Sequence, residues 1–97
     1  MIEQHPPLSL HLVFSQRGLD NCLNALGERA TEATLLLIQD AVYAATDPAP
    51  RLDHCLALAE DLELRGISDQ VRPAVRIIDR GTFVDLTARY SPIVSWS

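Results

Sequence analysis

Cys22 is the residue best equipped for chemistry in this sequence of 97 residues. It lies in Leu19-Asp20-Asn21-Cys22-Leu23, near the start of a helical stretch that follows an apolar, strand-like run. A thiol there could act as a nucleophile if its environment stabilised the thiolate. With Asp20 as N-cap, Cys22 stands at the second helical position, where the helix dipole lowers a thiol pKa. With Ser15 as the cap, Cys22 is too deep to benefit. Asp20 opposes thiolate formation and Arg17 favours it. The bland alternative is a packing cysteine, a common fate of free Cys.

The other reactive side chains form no constellation. Cys55 opens an apolar run and reads as a buried structural residue. The two cysteines make no Cys-x-x-Cys pair. His5, His11 and His54 share no metal-ligand spacing, so no metal is expected. His11 falls within a strand, as a satisfied or solvent-facing residue. Glu60, Asp61 and Glu63 read as an exposed helix start. Neither a Gly-x-Gly-x-x-Gly turn, a P-loop nor a Gly-x-Ser-x-Gly elbow occurs, so no cofactor is expected.

Composition narrows the function further. The net charge is −5, and all eight basic residues are Arg. An acidic chain repels phosphate backbones, which argues against direct nucleic-acid binding. Without Lys there is no Schiff-base chemistry and no phospho-receiver lysine. No apolar run is long enough for a membrane span, and no signal peptide opens the sequence. A reducing cytoplasm with two free thiols is the expectation.

The elements that must position Cys22 follow from periodicity. Residues 1–7 end in Pro6-Pro7 and read as an extended arm, leaving one domain over 8–97. Leu8 to Phe14 reads as a first strand and Ser15 to Gly18 as a turn. Leu19, Leu23, Leu26 and Ala30 share one helical face, with Cys22 about 60° from its centre, at the edge of the buried stripe. Ala33 to Gln39 is a continuous apolar run, the mark of a strand buried on both faces. Asp40 to Ala45 reads as a short helix capped by Asp40.

Cys55 to Leu58 is a third strand, Glu60 to Arg65 a helix stopped by Gly66, and Val75 to Ile78 a fourth strand. Thr82 reads as an N-cap with Asp85 as a weak capping-box partner. Pro92 ends that helix, and Ile93 to Trp96 closes the sheet. Strand and helix alternate, which predicts an α/β fold: a three-layer α/β/α sandwich with a mostly parallel sheet of about five strands. Sites in such sheets lie outside the carboxyl ends of the strands. There Cys22 could face one crevice with Asp40 and Tyr43.

Several segments, in order, resemble the DsrH/TusB family of sulfur-relay proteins. Leu10-His11-Leu12-Val13 resembles its first strand, and Cys22-Leu23 the element opening its first helix. Leu35-Leu36-Leu37-Ile38-Gln39-Asp40-Ala41-Val42-Tyr43-Ala44-Ala45 resembles its second-strand signature. Leu58-Ala59-Glu60-Asp61-Leu62 with Arg65-Gly66, Ile78-Asp79 with Phe83-Val84-Asp85-Leu86-Thr87, and Ser95-Trp96 complete the match. Ser15-Gln16-Arg17-Gly18 departs from the Ser-Pro common after strand 1, and Ala41 from a frequent Gly.

The resemblance implies a subunit of a persulfide-transfer complex. Its partners would be DsrE/TusD-like and DsrF/TusC-like subunits, commonly in a heterohexamer that passes sulfur to a TusE/DsrC-like carrier. One branch of the family serves 2-thiolation of the tRNA wobble uridine, and another serves oxidative sulfur metabolism. The principal carrier cysteine belongs to the DsrE/TusD-type partner. Cys22 is then either a further persulfide carrier or packing in a structural subunit, with Asp40 and Tyr43 at the crevice or interface.

Overall fold

A computed structural model of the chain describes residues 9–47 and 55–97. The arm expected at 1–7, together with His5 and His54, lies outside the described residues. Five strands, β1 (Leu10–Val13), β2 (Thr34–Leu37), β3 (Cys55–Leu58), β4 (Arg76–Ile78) and β5 (Ile93–Trp96), form one sheet in the order β4-β3-β2-β1-β5. Every pairing is parallel. The helices are α1 (Gln16–Leu26), α2 (Ala59–Leu64) and α3 (Arg80–Arg89), and Gln39–Thr46 winds as a 3-10 segment.

The strand order decides which face each connection covers. From β1 through β4 the chain steps in one direction across the sheet. Right-handed crossovers therefore place α1, the 3-10 segment and α2 on one face. The last crossover runs back from the β4 edge to the β5 edge, so α3 lies on the other face. Two cores result. One joins Val13, Leu35, Leu37 and Ala57 to Leu19 and Cys22 of α1, Val42 of the 3-10 segment and Leu62 of α2. The second joins Leu10, Leu36, Ile38, Leu58 and Ile78 to Phe83, Leu86 and Tyr90. The sandwich is thus three-layered, and among the described residues its second outer layer is a single ten-residue helix.

Four local expectations need correction. The stretch Ser15–Gly18 is not a turn. Ser15 is the N-cap of α1, its Oγ accepting the Gly18 N–H at 2.9 Å, so Gln16 to Gly18 form the first helical turn. Asp40 caps nothing: the 3-10 segment begins after Ile38 without a side-chain cap, and Asp40 is drawn instead to Arg65. Thr82 is not a cap either. Asp79 caps α3 by accepting the Thr82 N–H at 2.8 Å, which leaves Asp85 no capping-box role. Finally, Gln39 lies outside β2, at a positive φ of 52°.

Gly18 is required by close approach. A Cβ there would sit 2.5 Å from the backbone oxygen of Trp96. That oxygen also accepts the Phe14 N–H at 2.9 Å, so the end of β5 is clamped between β1 and α1. Gly66 stops α2 at φ 66°, a conformation that disfavours any side chain.

Candidate functional site

With Ser15 as the cap, Cys22 sits almost two turns into α1, beyond reach of the dipole at its amino end. It is fully buried, at 0% exposure, rather than at the edge of the buried face. The physical reason lies in the 3-10 segment, which packs against α1 and contributes Ala41, Val42, Ala44 and Ala45 to the same core. Two helix-like elements on one sheet face cover a wider arc of α1 than its leucine stripe alone indicates. Burial pushes the Cys22 thiol up to about 11, which favours the neutral thiol over the thiolate at neutral pH. Cys55 is buried at the start of β3. Its thiol is pushed up to about 12 by burial, which outweighs the nearby positive charge of Arg72.

Asp40 and Tyr43 are brought together at the carboxyl end of the sheet, but not with an open Cys22. Arg65, at the end of α2, joins them. Its Nε and Nη2 both donate to Asp40 Oδ1, at 3.1 and 2.8 Å, and its guanidinium carbon lies 5.9 Å from the centre of the Tyr43 ring. The bond to Asp40 holds the guanidinium pKa above its ordinary value. Asp61 completes the arrangement. Its Oδ2 accepts the Gln39 N–H at 2.7 Å, and its backbone carbonyl accepts from Arg65 Nη1 at 3.2 Å.

The turn after β2 is therefore fastened at both ends by α2. Asp61 holds Gln39 in its left-handed conformation, and Arg65 holds Asp40. Tyr43 is 48% exposed and the Asp40 side chain 74% exposed. Beside them, Arg80 Nη2 pairs with Glu60 at 2.7 Å, which ties the starts of α2 and α3.

Sequence reasoning singled out Asp40 and Tyr43 but missed Asp61 and Arg65 as their supports. A signal was available: Asp61 and Arg65 are four residues apart on one short helix, spacing that suits an ion pair. They lie 3.7 Å apart. The rest required the β2–β3 pairing, which brings α2 beside the turn. Among the described residues, no group of three or more His, Cys, Asp or Glu could hold a metal ion. The arrangement offers an exposed polar and aromatic rim braced by hydrogen bonds and an ion pair from α2.

A small parallel α/β domain with a presented rim and a buried thiol is the class that fold and site define. The family described as "DsrH like protein" matches residues 13–93. Protein TusB of Buchnera aphidicola subsp. Baizongia pistaciae is 35% identical over 94 residues, covering 90% of this chain and 99% of the relative. Protein TusB of Photorhabdus laumondii is 36% identical over 69 residues, or 64% of this chain and 73% of the relative. Protein TusB of Erwinia tasmaniensis is 33% identical over the same share of each chain. The chain belongs to the DsrH/TusB family of sulfur-relay proteins.

Proposed function

We propose that this chain is a subunit of a cytoplasmic sulfur-relay complex that supports 2-thiolation of the tRNA wobble uridine. It works by docking to its partners rather than by carrying sulfur on its own thiol. The similarity to proteins named TusB supports the tRNA branch over oxidative sulfur metabolism. The partners are DsrE/TusD-like and DsrF/TusC-like subunits, in a heterohexamer that delivers to a TusE/DsrC-like carrier.

The observation that carries the docking role is the burial of Cys22. In a relay step an attacking thiolate takes the outer sulfur of a donor persulfide. The donor S–S bond breaks, the donor leaves as a thiolate, and the acceptor becomes the persulfide, with no net oxidation. That step needs an accessible thiolate, and Cys22 is neither exposed nor acidic. The rim of Asp40 and Tyr43, braced by Arg65, suits a partner contact: aromatic and arginine side chains are enriched at interfaces.

Intact-protein and peptide mass spectrometry tests this reading after incubation with a persulfide donor, alone and with the partner subunits. The expected result is an added reducible sulfur on a partner cysteine and none on Cys22. A reducible sulfur on Cys22 in the assembled complex would make it a carrier. Cells lacking the chain should lose 2-thiouridine; unchanged 2-thiouridine would remove the tRNA assignment.

A further inference from the structure

Among the described residues, α3 is the one helix on the second face of the sheet. Between α3 and the β3–β4 side of the sheet runs a groove of about 480 Å³. Leu56 of β3 and Arg76 and Ile78 of β4 line it from the sheet, and Leu86 and Arg89 of α3, with Tyr90 just beyond, line it from the helix. This face is separate from the rim at Asp40 and Tyr43, because the crossover rule sends α3 to the opposite side from α2.

The net charge of the chain is −5, yet two of its eight arginines line one apolar trough. Among the described residues Arg65 and Arg80 are held in ion pairs, whereas no ion pair engages Arg76 or Arg89. Asp85 also lines the groove, so its described lining carries two positive charges, Arg76 and Arg89, against one negative. Arg presents a fork of donors that matches a carboxylate.

We infer that this groove is a docking surface for a partner polypeptide that brings apolar side chains flanked by carboxylates. The apolar side chains fill the trough over Leu56 and Ile78, and the carboxylates meet Arg76 and Arg89. The inference rests on the relay-subunit reading for the partner's presence, and on the groove's chemistry for its character. It gives the chain two faces for two neighbours: the braced rim on one side of the sheet and the basic-edged trough on the other.

The test uses the full chain with co-expressed DsrE/TusD-like and DsrF/TusC-like subunits. The double variant Arg76→Glu/Arg89→Glu should bind its partner at least tenfold more weakly, with an unchanged thermal midpoint. In the unaltered chain, Tyr90 should become protected from hydroxyl-radical oxidation on assembly, a readout that does not depend on the variant folding. Full affinity of the variant, with Tyr90 as reactive as in the free chain, would overturn the groove and leave the relay reading standing. A self-associating chain made monomeric by the double variant would assign the groove to a second copy and overturn the inference. Failure of the unaltered chain to assemble with either subunit would overturn both.

Discussion

The indole N–H of Trp96 donates to Nδ1 of His11 at 3.0 Å, joining the last strand to the first across 85 residues of sequence. Indole nitrogen is a donor only, so Nδ1 must be the unprotonated nitrogen. Nε2 then carries the proton and donates to Ser9 Oγ at 2.9 Å. The two rings stack with centroids 6.2 Å apart. His11 is the one buried polar residue among those described, and both of its nitrogens are satisfied only in the neutral form.

This predicts a pH dependence of known sign. Burial lowers the His11 pKa from its ordinary 6.5. Below 6.5 the unfolded chain takes up a proton that the folded chain refuses, so stability falls with pH. The contribution is fully present above 6.5 and is lost as pH falls toward the lowered folded value. His11→Asn, which keeps a short polar side chain without a titrating proton, should flatten the urea-midpoint profile below pH 6.5 relative to the unaltered protein. Parallel profiles would show that His11 does not govern this range.

Trp96 also dictates the residue at position 18. Alanine is favoured over glycine in helices by about 1 kcal/mol, yet Gly18→Ala should destabilise by about 1–3 kcal/mol through overpacking. The added carbon meets backbone atoms of Trp96 at 2.5 and 2.8 Å, which cannot rotate away. Denaturant titration measures the change; a stabilised Gly18→Ala protein would mean that β5 yields without cost.

The turn after β2 makes a paired prediction. Asp61→Ala removes the bond to the Gln39 N–H and should cost about 1–2 kcal/mol. Gln39→Gly, placed on that background, should recover part of the loss, because glycine tolerates the positive φ of 52° at position 39. A double variant no more stable than Asp61→Ala would show that the backbone at Gln39 is not under strain.

Cys22 should react slowly. With the thiol buried and its pKa near 11, alkylation by iodoacetamide at pH 8 should be at least a hundredfold slower in the native protein than in urea. Cys22→Ser would bury a hydroxyl at a cost of about 1–3 kcal/mol, whereas Cys22→Ala should retain relay activity in the assembled complex. Rapid native alkylation would revive a carrier role.

Much of the fold was legible in the residues. The apolar run through Leu35, Leu36 and Leu37 requires a strand covered on both faces, and the switch to period 3.6 from Leu19 marks a helix, though the helix itself begins earlier, at Gln16. Cys55–Leu58 and Ile93–Trp96 were readable to their last residues, because apolar runs bounded by turns leave little freedom. Such signals are local, carried by side-chain spacing along a few residues.

What only the tertiary structure decided depends on contacts distant in sequence. Ser15 and Asp79 rather than Asp20 and Thr82 cap their helices, a choice between chemically similar caps that nearby packing makes. Cys22 looked like the edge of a buried stripe until the 3-10 segment Gln39–Thr46 closed over it, which raised its thiol pKa instead of lowering it. Asp61 and Arg65 became supports of the Asp40–Tyr43 rim, and His11 the acceptor for Trp96, because β2 pairs with β3 and β5 with β1. Composition and periodicity determine which residues must be buried and in what kind of element. Which polar groups meet is settled by strand order, since a hydrogen bond or ion pair exists only where the fold brings donor and acceptor within about 3 Å.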